Sequence, residues 1–468
     1  MSSVKIGIIG AGSAVFSMRL VSDLCKTPSL RGSEVILMDV DEERLNAVSF
    51  MAKKLSDEFD ADITFETTLD LDKTIIDSNF VINSALVGGH KFLEDTRAIG
   101  EKHGYFRGID TQEFNMVSDY YTFTNWNQLS YFVEIARKVG SNNQKDAWLL
   151  QAANPVFEGT TLIHRETDTN MVGFCHGHYH VEHLANVLGL HMNEVDWQVA
   201  GVNHGIWLNK FEKDGEDLYP RLEEYFNTRK EWAPKNPTDD QLAPVAWDDY
   251  KFYGMFPIGD TPRNSSWKYH FSMDEKKKWY GEPWGGFDSP SGWKWYGNRL
   301  VATTATVQGM MKKIMENPEA DTKELLLADM SQYPEELREQ VEILYDPNRL
   351  SGEQHIPFID AIANDNASRL VVNTLNNGVV KGVADDVACE FCALVDKDGI
   401  HAEEVVPQLT DRIINWYLTP RIMRMEWALE AFLKRDKSLV VEMLMRDRRT
   451  TSFEQAQAVV DEIFKMYE

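Results

Sequence analysis

Through residues 1–200, short unbroken apolar runs alternate with stretches of helical period. The runs are Lys5-Ile6-Gly7-Ile8-Ile9, Glu34-Val35-Ile36-Leu37-Met38-Asp39, Phe80-Val81-Ile82-Asn83-Ser84-Ala85, Ala147-Trp148-Leu149-Leu150-Gln151-Ala152 and Met171-Val172-Gly173-Phe174. Apolar character without polar alternation is the signature of strands covered on both faces, as in a parallel sheet. Helical patterns at Val15 to Leu24 and from Glu42 onward supply crossovers. The predicted class is α/β, a Rossmann-type doubly wound parallel sheet over residues 1–200.

Beyond residue 201 the alternation fades, and helical patterns dominate near 300–316, 322–345 and 403–468. Leu429, Phe432 and Leu433 recur at helical spacing and read as core. A C-terminal mixed α+β domain over 201–468 is expected, covering the nucleotide edge and carrying substrate, metal and oligomer contacts. The stretch from Pro234 to Pro244 reads as a connector or flexible loop. The aromatic stretch from Trp279 to Tyr296 reads as core, subunit contact or a lid.

The first strand runs into Gly10-Ala11-Gly12-Ser13 and then a helix, the context a dinucleotide-binding turn requires. Gly10, Gly12 and Ser13 would let a pyrophosphate approach backbone N–H groups at a helix N-terminus. Val15 holds the third glycine position, so the fingerprint is incomplete. Asp39 closes the second strand, where an acid receives ribose hydroxyls and repels a 2′-phosphate, favouring NAD over NADP. A strand-end Asp is otherwise a common N-cap for the helix starting at Glu42, the lesser reading here. Ligands gather at the carboxyl ends of parallel strands, which places Asn83, Gly88 and Asn154 near the nicotinamide.

Composition narrows the partners. The chain has 74 acidic against 48 basic residues, a net charge of −26, which argues against nucleic acid. An anionic substrate would therefore need a local basic pocket. Four cysteines in 468 residues make no disulfide framework. Cys389 and Cys392 form a C-x-x-C, but their apolar neighbours favour a core strand over a redox or zinc site. No apolar run reaches the roughly 20 residues that cross a bilayer. The start Met1-Ser2-Ser3-Val4-Lys5 carries no secretory pattern, so a cytoplasmic, reducing location is expected.

Cys175 follows the fifth strand directly, in Phe174-Cys175-His176-Gly177-His178, and so falls at the cofactor edge. With His204, in Gly201-Val202-Asn203-His204-Gly205, it makes a candidate metal pair, since thiolate and imidazole suit transition metals.

These pieces together resemble glycoside hydrolase family 4, the NAD- and metal-dependent glycosidases. The likeness rests on Gly10-Ala11-Gly12-Ser13, Asp39, Phe80-Val81-Ile82-Asn83 with Val87-Gly88-Gly89, Asn154-Pro155, Cys175-His176 and Gly201-Val202-Asn203-His204 with Trp207. It extends to Asn364-Asp365-Asn366-Ala367-Ser368 and Val383-Ala384-Asp385-Asp386-Val387, and so covers most of the chain. Cys175-His176-Gly177-His178 is similar to members that act on α-galacturonides. Ala85-Leu86 stands where phosphosugar members carry a basic residue, which disfavours a 6-phosphate.

The resemblance implies a fold like that of lactate and malate dehydrogenases, and an α-galacturonidase that oxidises sugar carbon 3 with NAD, eliminates, adds water and re-reduces. It implies Mn(II), or another divalent transition metal, on Cys175 and His204. Asp110, in Gly108-Ile109-Asp110-Thr111, becomes the candidate acid, and Asp260 or Tyr253 the base. Asn154, His176, His178 and Arg263 become substrate contacts. Arg263 is the leading partner for a uronate carboxylate because a guanidinium fork matches it, with Arg299 a weaker option. A homodimer or homotetramer is expected. The rival readings are another family 4 α-glycosidase (α-glucosidase or α-galactosidase), a lactate/malate-type dehydrogenase and a non-catalytic nucleotide sensor.

Overall fold

The computed structural model describes residues 3–109, 124–144, 146–263 and 272–467. In chain order the strands are β1 (Lys5–Ile9), β2 (Glu34–Met38), β3 (Thr64–Thr68), β4 (Phe80–Asn83), β5 (Trp148–Gln151), β6 (Asn170–Gly173), β7 (Asp196–Val202), β8 (Gly205–Lys213), β9 (Glu216–Asp217), β10 (Phe256–Ile258), β11 (Ser368–Leu375), β12 (Ala388–Asp396) and β13 (Gly399–Ala402).

β3-β2-β1-β4-β5-β6 is a parallel, doubly wound sheet. Its central strands are apolar throughout because helices cover both faces: Ile6, Ile8, Ile9, Val81, Ile82, Leu149 and Leu150 have no exposed surface. From β1 the order departs in both directions, so the turn after β1 lies at the topological switch point where such sheets bind ligands.

The sheet does not end at β6. It continues through β11, β12, β7, β8 and β10, all antiparallel. That explains the fading of the β/α rhythm after residue 201: β7–β8 and β11–β12 are hairpin-type pairs that need no crossover helices. The principal apolar core contains residues from both halves, among them Ile8, Val172, Phe358 and Phe391. A second core beneath β7, β8 and β10 gathers Phe211, Phe226 and Phe256. Each such buried ring contributes on the order of 1.5–3 kcal/mol.

Cys389 and Cys392 both lie in β12, buried and unbridged. Residues three apart on a strand face opposite ways, and the two thiols enter different cores, so they share no ligand. The Pro234–Pro244 stretch is more than a connector. Within it Asp240 and Gln241 are fully buried, and Gln241 bonds the Pro257 carbonyl (2.7 Å) and the Gly259 N–H (2.9 Å). Among the described residues, no helix is long and apolar enough to cross a membrane.

Candidate active site

The turn after β1 is shaped for close backbone approach. Gly10 sits at φ +86°, and its N–H donates to the Met38 carbonyl at 2.9 Å. The Gly12 N–H donates to Asp39 Oδ2 at 2.7 Å, and a Cβ on Gly12 would stand 2.7 Å from the Asp39 carboxyl carbon. Only glycine lets the acid and the turn meet. Asp39 also receives the Asp41 N–H at 3.0 Å. The following helix is instead capped by Asp41, which accepts from the Arg44 N–H. Ser13 precedes the helix Ala14–Cys25 without a side-chain cap, leaving that N-terminus to another acceptor.

A cavity of about 340 Å³ opens at the carboxyl end of β6. It is lined by Asn154, Cys175, His176, His180, His204, Asp260, Arg263, Phe287, Glu353 and His355, among others. Three pieces of backbone converge on it. Cys175 leaves β6. His204 occupies the two-residue turn between β7 and β8, where Val202 pairs with Gly205, and takes a left-handed φ of +57°, uncommon outside glycine. Asp260 follows β10 in a turn whose Gly259 (φ +67°) rests on the backbone of Gly177. A Cβ on Gly259 would lie 2.9 Å from the Gly177 Cα, so this bare contact brings the cysteine and aspartate segments together. The Thr261 hydroxyl fastens the same turn to β8 by accepting from the Ile206 N–H (2.9 Å).

The result is a chain of chemical groups. Cys175 Sγ lies 3.5 Å from His204 Nε2, which lies 3.5 Å from Asp260 Oδ2. Asp260 pairs with Arg263, whose Nε is 2.5 Å from Asp240 Oδ2. Behind them, Glu390 on β12 accepts from Asn203 Nδ2 at 2.9 Å, and Arg421 donates to the Asn203 carbonyl at 2.9 Å.

Burial, then the carboxylates Glu390 and Asp260, push the Cys175 thiol up. Burial holds His204 neutral, its pKa lowered to about 4. Burial would raise Asp260, but Arg263 and then His204 outweigh it and bring it to about 2. Burial pushes Glu390 up to about 7. A thiol that cannot ionise alone, a neutral imidazole and an ionised carboxylate in one cavity are the environment a divalent cation balances, since a bound cation deprotonates a coordinating thiol. The donor chemistry therefore fits a metal. Among the described residues no group of three or more His, Cys, Asp or Glu is placed to hold a metal ion, so the donor set is the pair Cys175 and His204.

Other expected site residues fall differently. Asn83 is fully buried, and its amide bridges Gln151 (3.0 Å) and the Ala85 N–H (3.2 Å), so it stiffens the strand ends beneath the cofactor edge. Gly88, at φ +83°, caps the helix Gly89–Lys102. His178 does not join His176. The segment Gly177–His180 is a 3-10 helix, and its tight turn sends His178 to the opposite side, stacked 6.0 Å from Trp197. His180 lines the cavity in its place. Tyr253 packs on Trp207 (4.7 Å) and Tyr417 (5.8 Å) in the apolar core, and burial raises its pKa, the opposite of what a base needs. The Arg263 fork is engaged by two protein carboxylates. Arg299 lies on the helix Pro290–Glu316, 5.1 Å from the Trp295 ring, and does not line the cavity. Asp110 lies outside the described residues.

Sequence reasoning passed over His180, Asp240, Glu353 and His355. Only the run of histidines after Cys175 carried any signal for the first, and nothing local marked the others.

The chain matches the Family 4 glycosyl hydrolase model over residues 5–190 and that family's C-terminal domain over 199–450. It is 28% identical to an alpha-galactosidase of Bacillus subtilis over 236 residues, 47% of this chain and 50% of that protein. It is 22% identical to an alpha-galacturonidase of Thermoanaerobacter italicus across 99% of this chain and 96% of that one. Its fold is similar to that of a 6-phospho-alpha-glucosidase from gut microorganisms solved with NAD and Mn2+ (TM-score 0.76, 16% identity, 99% and 98% of the two chains). With both halves matched in order, the chain belongs to family 4 of the glycosyl hydrolases and is a glycosidase.

Proposed function

We propose that this enzyme hydrolyses α-galacturonides with NAD and Mn(II), without net cofactor consumption. The observation carrying this reading is the convergence of Cys175, His204 and Asp260 on one cavity at the carboxyl edge of the parallel sheet. When bound, NAD would supply reversible hydride acceptance at sugar carbon 3, and Mn(II) would supply Lewis acidity at the carbon 3 oxygen. Cys175 and His204 would hold the metal, while Gly10, Gly12, Ser13 and Asp39 would hold the nucleotide, with Asp39 selecting NAD. Asn154 and His176 would orient the sugar. Asp260, ionised at neutral pH and on the cavity wall, is the better candidate than Tyr253 to take the carbon 2 proton. Asp110 would protonate the leaving oxygen.

The uronide assignment is supported by the Cys175-His176-Gly177-His178 run and by the near full-length likeness to the T. italicus alpha-galacturonidase. The engagement of Arg263 by Asp240 and Asp260 favours a second reading, a neutral α-galactoside needing no free guanidinium. The four unbridged cysteines are consistent with a reducing, cytoplasmic setting.

Release of p-nitrophenol from p-nitrophenyl α-D-galacturonide tests this, with and without NAD and Mn(II), against the galactoside, the glucoside and the 6-phosphoglucoside. Turnover on the galacturonide that requires both additives is expected. Turnover confined to the galactoside would replace the uronide by the second reading.

A further inference from the structure

The cavity has further polar lining, beyond Cys175 and His204, that no motif marks. Glu353 and His355 lie at the start of the helix His355–Asn364 and both line the cavity. Glu353 is 8% exposed and His355 1%. Among the described residues, neither ring nitrogen of His355 has a hydrogen-bond partner. Its ring is fixed edge-on by Phe174 (4.9 Å) and Phe16 (5.4 Å). Its Nδ1 lies 3.9 Å from Glu353 Oε2, too far for a hydrogen bond. The other carboxylate oxygen of Glu353 accepts from Arg19 Nη1 at 3.0 Å, and Arg19 belongs to the helix Ala14–Cys25 behind the glycine turn.

Buried polar atoms in folded proteins are almost always paired, and each exception calls for an explanation, of which a ligand that completes it is one. Here a carboxylate oxygen with spare acceptor capacity and an imidazole with spare donor capacity stand side by side. A hydroxyl both donates and accepts, and so can satisfy the two together. We propose that Glu353 and His355 form a glycone clamp: one sugar hydroxyl donates to Glu353 Oε2 and accepts from the His355 ring N–H, while Arg19 holds the carboxylate from the cofactor side. The clamp reads a hydroxyl. An ionised substrate carboxylate has no proton to give Glu353 and is repelled at this position. Because Arg19 sits on the nucleotide helix, the clamp also links the sugar wall to the cofactor turn. The inference rests on the glycosidase class and not on the uronide assignment.

The test uses the full-length enzyme with NAD and Mn(II), on whichever of the α-galacturonide, α-galactoside and α-glucoside the unmodified enzyme hydrolyses. Glu353→Gln is expected to raise the sugar KM about 10- to 100-fold, the worth of a hydrogen bond to a charged group, and His355→Phe about 3- to 10-fold, the worth of a neutral one. They should leave the NAD KM unchanged and lower kcat far less than they raise the sugar KM. His355→Gln, which keeps an N–H donor, should recover most of the loss and guards against a folding failure of the phenylalanine variant. Arg19→Met should raise the sugar KM although Arg19 does not line the cavity. An unchanged sugar KM in Glu353→Gln and His355→Phe overturns the clamp. So does a rise in NAD KM that matches the sugar effect, since the pair would then only support the helix. Hydrolysis of none of the sugars by the unmodified enzyme overturns both the clamp and the proposed function, whereas hydrolysis of a neutral sugar alone removes only the uronide.

Discussion

Replacing Arg263 by methionine separates two roles that the sequence could not distinguish. The guanidinium is 7% exposed, its Nε lies 2.5 Å from the fully buried Asp240, and it pairs with Asp260 on the other side. Methionine fills much of the same space and cancels no charge. Removing one partner of a buried ion pair costs about 3–5 kcal/mol because the stranded charge remains desolvated. Arg263 is also the largest influence holding Asp260 down at about 2, against the opposing pull of burial. Without it the Asp260 carboxyl moves up, and the carboxylate is lost as pH falls through the new, higher value. Urea unfolding of Arg263→Met at neutral pH should therefore show a loss of about 3–5 kcal/mol. Its kcat/KM profile should gain an acidic limb absent from the parent enzyme. If Arg263 instead bound a substrate carboxylate, the variant would keep its stability and raise KM for the galacturonide while sparing the galactoside. Stability within about 1 kcal/mol of the parent, together with an unaltered pH profile, would refute the electrostatic reasoning.

Other expectations follow from single contacts. Gly12→Ala forces a Cβ against the Asp39 carboxyl and disturbs a charge-assisted bond. NAD affinity in a fluorescence titration should drop about 10-fold or more, with the sugar KM spared. Cys175→Ser should weaken Mn(II) binding, followed by the paramagnetic resonance of free Mn(II), by more than the roughly 10- to 100-fold lost when a residue that only supports a metal ligand is changed. Tyr253→Phe should hold kcat within about threefold, because this tyrosine packs among Trp207 and Tyr417 and does not line the cavity. A larger fall would return it to the chemistry. His164 is half-buried, and desolvation lowers its pKa from 6.5 to about 4, leaving it neutral at neutral pH. A depressed histidine contributes stability above its unfolded value that is lost as pH falls toward the folded one. The parent should thus lose stability relative to His164→Gln between pH 6.5 and 4, read as the difference in urea midpoints at each pH.

The sequence by itself determined the parallel half of the fold and the ends of its strands. Unbroken apolar runs such as Lys5–Ile9 and Phe80–Asn83 are required wherever both sheet faces are covered, and glycine turns must sit where backbone meets ligand. Cys175 and His204 could be paired from motifs because each lies immediately beyond a strand. What lay beyond local pattern depended on pieces distant along the chain. β11 and β12 return from residues 368–396 to insert between β6 and β7, and nothing near residue 200 announces that. The 3-10 turn after Cys175 exchanged His178 for His180 at the cavity, because an element of three residues per turn does not carry the i, i+2 spacing to one face. Arg263 could be recognised as a guanidinium fork in a loop, but its occupation by Asp240 depended on a proline-flanked segment folding beneath it. Glu353 and His355 reached the site only through the packing of their helix against the nucleotide domain. Backbone hydrogen bonding and burial are written in local patterns. Which charges meet in a low-dielectric cavity is decided by contacts between residues tens to hundreds of positions apart, and only the tertiary structure sets those.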